Sequence, residues 1–171
     1  MAYDYEALYR ETPDALGPPT ARVLALIEKH IPLGAHILDV GCGQGRDAVP
    51  LARQGFRVTG IDIAPSGVAA LNEIAAREAL PLCAMEADIA DWRPEETYDL
   101  ILCDRTLHML AELARHRVFA RLIGATAEAG HLLVVDEAPN IAGLRAELDR
   151  CDRSYMIKHE IKGDLLVRLE P

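Results

Sequence analysis

The chain has 171 residues, which is enough for one domain with a hydrophobic core. Hydrophobic residues make up 50% and charged residues 26%, an ordinary globular balance. The net charge of −9 argues against DNA or RNA as a partner, because contacts to phosphates need clustered Lys and Arg.

The four cysteines and the first residues predict the compartment. The cysteines lie far apart and show no C-x-x-C or Cys/His metal spacing, so we expect reduced thiols and no metal site. The start contains no basic segment followed by an apolar one, and no apolar run approaches membrane-spanning length. We therefore expect a cytoplasmic protein without a membrane partner.

Strands and helices alternate along most of the chain. An N-terminal helix is predicted at residues 20–30 from its apolar stripe. Strands are predicted at 36–40, 57–61, 82–86, 98–103 and 130–136, and later helices at 47–54, 66–78, 112–127 and 141–151. Such alternation predicts an α/β fold with a parallel sheet, right-handed crossovers and helices on both faces.

The C-terminal residues break this alternation. Apolar and polar residues alternate over 154–161, residues 162–164 form a turn, and 165–169 is a second short strand. Two strands joined by a tight turn run antiparallel. We expect one domain over 1–171, with an N-terminal helical segment (1–34), a ligand-binding core (35–137) and a C-terminal helix and hairpin (138–171).

A glycine-rich turn follows the first predicted strand. Asp39 is the last residue but one of that strand, and Gly41, Gly43 and Gly45 follow at every second position. Glycine reaches positive φ without penalty and lets a ligand lie against bare backbone, beside the unpaired N–H groups of a helix start. Asp62 ends the next apolar run, at about the distance of 20 residues where a ribose-binding acid follows such a turn. Together these features predict a nucleoside-containing ligand across the ends of the first two strands.

The glycine spacing narrows the choice of ligand. The dinucleotide fingerprint G-x-G-x-x-G would place its third glycine at Arg46, and no Lys-Ser/Thr pair follows as in a P-loop. A nicotinamide-dependent reductase therefore fits the strand–glycine–helix start but not the spacing. Asp39 is poorly placed for an anionic pyrophosphate and suits a ligand with positive charge, such as an ammonium or a sulfonium.

At these residues the chain resembles the class I S-adenosylmethionine-dependent methyltransferases. Four ordered blocks carry the resemblance: Gly41-Cys42-Gly43-Gln44-Gly45-Arg46-Asp47, Gly60-Ile61-Asp62-Ile63, Ala87-Asp88-Ile89 and Tyr98-Asp99-Leu100-Ile101. The first block is most similar to the tellurite-resistance (TehB-like) type. The resemblance implies a Rossmann-like doubly wound sheet with strand order 3-2-1-4-5-7-6 and strand 7 antiparallel.

The resemblance also implies S-adenosyl-L-methionine as cofactor and S-adenosyl-L-homocysteine as product. Asp39 would lie near the amino end of the methionine, or brace the glycine turn, while Asp62 would accept from both ribose hydroxyls. Asp88 would accept from the adenine amino group. The full set of expected cofactor residues is Asp39, Gly41, Cys42, Gly43, Gly45, Arg46, Asp62, Ile63, Ala87, Asp88, Ile89 and Cys103. Arg46 opposes the dipole at a helix start, so we expect an anion beside it, either Asp/Glu or a ligand carboxylate.

Two residues after the fourth strand are the candidates for catalysis. His108 matches a position where many family members carry His, and it either acts as a base, holds an anion, or packs as a helix-entry residue. Arg105 either recognises an anionic acceptor, since its fork matches carboxylates and oxyanions, or forms a surface salt bridge with Asp104. Both would lie beyond the carboxyl ends of the strands, where such sheets bind ligands.

The expected function is methyl transfer to a small-molecule acceptor: a thiol, a metalloid oxyanion or a small metabolite. The alternative is an S-adenosylmethionine-binding regulatory or partner-dependent protein without catalysis of its own. We expect a monomer or a homodimer. Tyr3, Tyr5 and Tyr9 in the N-terminal segment close over the cofactor as a lid, or Tyr5 and Tyr9, neighbours on one helical face, simply dock the segment.

Overall fold

The computed structural model describes residues 4–171, so Tyr3 lies outside the described residues. The elements in chain order are α1 (Tyr5–Glu11), α2 (Ala21–His30), β1 (His36–Val40), α3 (Ala48–Arg53), β2 (Arg57–Asp62), α4 (Pro65–Glu78), β3 (Leu82–Glu86), β4 (Tyr98–Asp104), a 3-10 turn (Leu107–Met109), α5 (Glu112–Ala125), β5 (Thr126–Val135), α6 (Ala138–Arg150), β6 (Tyr155–Ile161) and β7 (Asp164–Leu169).

The strands form a seven-stranded sheet in the order β3-β2-β1-β4-β5-β7-β6, with β7 antiparallel to both of its neighbours. Flanking helices complete a class I methyltransferase-type fold, so the predicted fold class and strand order are confirmed.

The largest differences from the predicted element bounds lie on either side of β5. Helix α5 ends at Ala125 instead of 127, and β5 begins at Thr126 instead of 130. Thr126 pairs with Tyr98 of β4, so sheet pairing takes these residues from the predicted helix. Helix α6 begins at Ala138 instead of 141 because a proline, Pro139, is tolerated in a first helical turn.

The chain divides into two compact units, the first of which ends at Asp88. Its strands β1, β2 and β3 are parallel, with Asp39 beside Gly60 and Asp62 beside Glu86. Every residue of β1 is buried, as in parallel strands covered on both faces. This register brings the ends of β1, β2 and β3 to one edge, where the acids Asp39 and Asp62 stand.

The second unit runs from Ile89 to Pro171. Strands β4 and β5 are parallel, and β7 and β6 continue from β5 as an antiparallel hairpin. Fully buried side chains of β4, α5 and β7 fill its core: Leu100, Ile101, Leu102, Phe119, Leu122 and Val167. Asp104 and Val135 are register partners, so β4 and β5 end side by side.

Within residues 4–171, none of the helices combines the length and apolar character that a membrane crossing requires. The same residues contain no cluster of three or more His, Cys, Asp or Glu side chains that could hold a metal ion. In this described part of the chain, the cysteines form no disulfide bond.

Candidate functional site

The turn between β1 and α3 has the backbone geometry that only glycine adopts readily. Gly41, Gly43 and Gly45 have φ of +77°, +50° and +91°. A Cβ on Gly45 would lie 2.4 Å from Leu71 Cδ1, so this position also lacks room for a side chain. The N–H groups of Gly41 and Cys42 donate to the Ile61 carbonyl at 2.7 and 3.0 Å, which ties the turn to the end of β2.

Asp62 holds the glycine turn from the neighbouring strand. Its Oδ2 accepts from Gly43 N at 2.8 Å, and its Oδ1 accepts from Ala64 N at 2.8 Å. The residue is 9% exposed, and burial raises the pKa of its carboxyl above the ordinary value, against the opposing effect of these hydrogen bonds. A carboxylate has about four lone-pair sites, so Asp62 keeps acceptor capacity for a ligand hydroxyl.

Asp39 and Cys42 are buried beside this turn. Asp39 is 3% exposed at the end of β1. The Cys42 side chain packs on Gly60, where an added Cβ would lie 2.7 Å from the Cys42 sulfur. Burial raises the pKa of the Cys42 thiol well above its usual value, and the charges of Asp39 and Asp62 add to this effect. Cys42 therefore remains a neutral thiol whose side chain faces β2.

The anion expected beside Arg46 is its neighbour in the chain. Arg46 donates from Nε and Nη2 to Asp47 Oδ2 at 3.0 and 2.5 Å. Their side chains are only 9% and 5% exposed. Removing one partner of such a buried pair leaves the other charge uncompensated.

The residues that follow β2 and β3 lie at the same edge. Ala87 N donates to the Asp62 carbonyl at 2.9 Å, so the end of β3 is joined to the acid of β2. Ile63 is 63% exposed, which is high for a large apolar side chain directly after a buried strand. Asp88 is also exposed. This edge thus presents one apolar and one anionic side chain near the turn.

The N-terminal helix is docked against the turn and α4. Tyr9 is 7% exposed, and a Cβ added at Gly43 would lie 2.6 Å from its hydroxyl oxygen. Burial, with the charge of Asp62 adding, raises the pKa of Tyr9, so the phenol is neutral. The rings of Tyr5 and Tyr9 lie 5.7 Å apart, so the two side chains share one face of α1.

Two polar residues that sequence reasoning missed fasten this segment. Glu6 accepts from Ser66 N at 2.9 Å and from Ser66 Oγ at 2.5 Å, which supplies the cap that Ala64 cannot give to α4. Gln44 donates to the backbone carbonyls of Tyr9 and Thr12 and accepts from the N–H of Ala15. Local pattern carries no signal for either role, because the partners lie 29–60 residues away in the chain.

In the second unit, β4 ends in an unusual backbone conformation. Arg105 has φ of +58°, a region that a bulky residue rarely adopts, and its N–H donates to the Val135 carbonyl at 2.8 Å. Its Nε lies 3.3 Å from Asp104 Oδ1, and the two side chains are 55% and 1% exposed. The salt bridge, one of the two alternatives for Arg105, is therefore present, with the guanidinium exposed and the carboxylate buried at the end of its strand.

The turn that carries His108 is held at both of its ends by Arg115. Arg115 donates to the carbonyls of Leu107 and Leu110 at 3.0 Å each. Its third nitrogen donates to Asn140 Oδ1, and Asn140 Nδ2 donates to Asp136 Oδ1 at 2.7 Å. This network, which the sequence did not predict, joins the half-buried His108 turn to the residues after β5.

The last two residues of this unit that were predicted to contact the cofactor are Cys103 and Ile89, and their surroundings differ. Cys103 is fully buried within β4. The carbonyl of Ile89 accepts from Arg121 Nη2, and that of Ala90 accepts from the same nitrogen at 3.3 Å. Arg121, on α5, therefore holds the backbone that follows Asp88.

Comparison with known proteins places these features in a family. Residues 37–130 match the family described as methyltransferase domain. The chain belongs to this family. It is 36% identical over 102 residues to trans-aconitate 2-methyltransferase of Escherichia coli O17:K52:H18, covering 58% of this chain and 38% of that protein. The chain thus spans well under half the length of this curated relative.

Solved methyltransferase structures share the fold. A TehB-like S-adenosylmethionine-dependent methyltransferase from Corynebacterium glutamicum superposes with a TM-score of 0.72 at 24% identity, covering 96% of this chain and 94% of that one. The N-methyltransferase NodS of Bradyrhizobium japonicum, in complex with S-adenosylhomocysteine, gives 0.71 at 20% identity, covering 96% of each chain. A TehB-like protein is thus among the structural relatives, in line with the resemblance of the first block.

Methyltransferases of this family use S-adenosylmethionine, and the first unit of this methyltransferase domain fits that cofactor. The turn offers bare backbone where side chains have no room, Asp62 has acceptor capacity left, and Ile63 offers an exposed apolar face. The structure brings Asp39, Asp62 and Ala87 together with the glycine turn. Their individual contacts with a ligand stay predictions.

Proposed function

We propose that this chain transfers a methyl group from S-adenosylmethionine to a small-molecule acceptor. The observation that carries the proposal is Asp62, a buried carboxylate bonded to the glycine turn at the edge where the parallel strands end. The cofactor, when bound, supplies a methyl group on a sulfonium. The protein's part is to bind, orient and exclude water.

Each expected contact in the first unit follows from a residue's place there. Asp62 accepts hydrogen bonds from the ribose hydroxyls with the lone pairs that the turn leaves available. Ile63 packs on the adenine face, and Asp88 accepts from its amino group. Asp39, behind the turn, stabilises the positively charged amino end of the methionine.

Arg105 is the residue that selects the acceptor. Its guanidinium is 55% exposed, while the buried Asp104 and a strained backbone fix its base. A guanidinium presented in this way suits carboxylates and oxyanions. The E. coli relative is named for trans-aconitate, which is a carboxylate. Among thiols, metalloid oxyanions and small metabolites, we propose that the anionic acceptors are preferred.

His108 is the proposed base for acceptors that carry a proton at neutral pH. A thiol must lose its proton as the new bond to carbon forms, whereas an ionised carboxylate needs no base. His108 lies on the turn that Arg115 fastens. His108→Gln should therefore slow thiol methylation and leave carboxylate methylation unchanged.

Ligand binding is the first test. A ligand at about 100 times its Kd adds about 2.7 kcal/mol of stability, which raises Tm by roughly 5–11 °C for a chain of this size. S-adenosylmethionine and S-adenosylhomocysteine should each give such a shift, and NADH should give none. A shift with NADH alone would refute the proposal.

Turnover is the second test. The protein is incubated with methyl-labelled S-adenosylmethionine and a panel of carboxylates, metalloid oxyanions and thiols. Arg105→Met should raise KM for anionic acceptors by about tenfold or more, and Arg105→Lys should restore part of that loss. Cofactor binding without turnover on any acceptor would favour the alternative of a protein without catalysis of its own.

A further inference from the structure

Gln44, inside the glycine turn, uses its whole amide group on the N-terminal segment. Its Nε2 donates to the carbonyls of Tyr9 at 3.1 Å and Thr12 at 2.9 Å, and its Oε1 accepts from Ala15 N at 2.9 Å. Both amide hydrogens and the oxygen are therefore engaged, in each case with backbone. Because these three hydrogen bonds go to backbone groups, they hold residues 9–15 in place independently of the side chains in that segment.

The Gln44 hydrogen bonds lie at and after the C-terminal end of helix α1, where backbone carbonyls lack partners within the helix. Helix α1 has seven residues, and a helix this short is marginal by itself in water. The carbonyls of its last turn lack partners within the helix, and Gln44 satisfies that of Tyr9. Gln44 thus acts as an external cap at the end of α1.

Two further contacts reach the same region from α1. Glu6 caps the start of α4 through Ser66, three residues after Ile63. The Tyr9 ring lies on Gly43, whose N–H is the one that Asp62 holds. All three attachments of the segment therefore end on the turn or on the helix start that borders the proposed cofactor site.

We propose that Gln44 is a positioning residue that couples the glycine turn to the N-terminal segment, so that a cofactor bound at the turn favours the docked position of residues 5–15. This inference rests on the proposed function. Coupling of this kind is reciprocal, so a docked segment must tighten cofactor binding by the same factor by which cofactor favours docking.

The test follows cleavage by trypsin after Arg10, whose side chain is 63% exposed within α1. When opening is fast relative to cleavage, the rate reports the open fraction of the segment. Saturating S-adenosylhomocysteine should slow this cleavage at least tenfold in the wild-type protein, about 1.4 kcal/mol. In Gln44→Met, S-adenosylhomocysteine should slow the cleavage by less than about twofold. The Kd for S-adenosylhomocysteine should rise by the same factor by which this slowing has decreased.

Gln54→Met is the matched control. Gln54 donates through Nε2 to Glu28 Oε1 at 2.7 Å on the surface, outside the turn. It should keep the wild-type ratio of cleavage rates with and without ligand. A role of Gln44 in folding alone would change Tm or the basal rate but not this ratio.

A second variant and one wild-type measurement keep the proposal falsifiable if Gln44→Met does not fold. Gln44→Glu keeps the acceptor for Ala15 but loses both donors, and it should lose the ligand-dependent slowing too. In the wild-type protein, S-adenosylhomocysteine should slow hydrogen exchange at the Ala15 amide. An unchanged cleavage ratio in either variant that binds ligand, or an unchanged Ala15 exchange rate, overturns the coupling. Failure of the wild-type protein to bind S-adenosylhomocysteine would overturn the proposed function instead.

Discussion

Two helical glycines offer a paired test of how α1 docks. A Cβ added at Gly67, in the first turn of α4, would lie 2.9 Å from Tyr9 Cδ2 and 3.0 Å from the Gly43 carbonyl carbon. A Cβ added at Gly124, near the end of α5, would meet nothing within 4 Å. Both positions are helical, so the two Gly→Ala changes share the same propensity effect and differ in packing.

The magnitudes follow from that difference. Replacing a helical Gly by Ala stabilises by about 0.5–1 kcal/mol, and this is the expected gain for Gly124→Ala. At Gly67 the same gain is opposed by overpacking, which costs about 1–3 kcal/mol. The Tyr9 ring is able to move away but the Gly43 backbone is not, so we expect Tyr9 to be displaced and α1 to undock.

Thermal unfolding and trypsin cleavage after Arg10 measure the two consequences. Gly67→Ala should melt below Gly124→Ala by about 2–12 °C, since about 1 kcal/mol corresponds to 2–4 °C at this chain length. Cleavage should accelerate in Gly67→Ala and stay at the wild-type rate in Gly124→Ala. If both variants are stabilised equally and cleaved alike, Tyr9 is not packed between the turn and α4, and the docking argument is refuted.

Three other outcomes follow from burial and charge. Asp62→Asn leaves one turn N–H without an acceptor, so calorimetry should show a loss of about 1–3 kcal/mol in stability and at least tenfold weaker S-adenosylhomocysteine binding. Arg46→Met leaves the Asp47 carboxylate buried and unpaired and should lower urea stability by about 3–5 kcal/mol, whereas Arg53→Met, which breaks the exposed Arg53–Glu78 pair, should leave urea stability nearly unchanged. Cys83 is exposed and should react with a thiol reagent in the native state, whereas the buried Cys42 and Cys103 should react only after unfolding; rapid labelling of Cys42 or Cys103 would contradict this burial.

Local sequence patterns were enough to predict where most strands, turns and helices of this fold lie. An apolar run ending in Asp39, then glycines at positive φ, is a signal contained within ten residues, and the structure places strand, turn and helix there. The junction at Thr126 was mispredicted because Ala-rich sequence suits a helix end as well as a strand. Pairing with β4 decides it, and that pairing is not visible locally.

The sequence predicted which residues form the candidate site but not the hydrogen bonds that hold them there. Asp62 was expected from its spacing, but its bond to Gly43 N crosses 19 residues. Gln44 stood in the motif with no assigned role, because its partners are backbone groups, which have no sequence signature. Arg115 likewise binds carbonyls and one amide oxygen. Local sequence patterns therefore do not reveal which polar side chains hold loops in place through hydrogen bonds to backbone groups.

The two roles of Asp62 support each other. A buried carboxylate is destabilised by lost hydration, and the N–H groups of Gly43 and Ala64 offset part of that loss. The same bonds fix both oxygens before any ligand arrives, so their remaining lone pairs already point in set directions. Ordering a flexible acid on binding would reduce affinity, and here that ordering is completed during folding. Asp62 therefore serves binding because it first serves the turn.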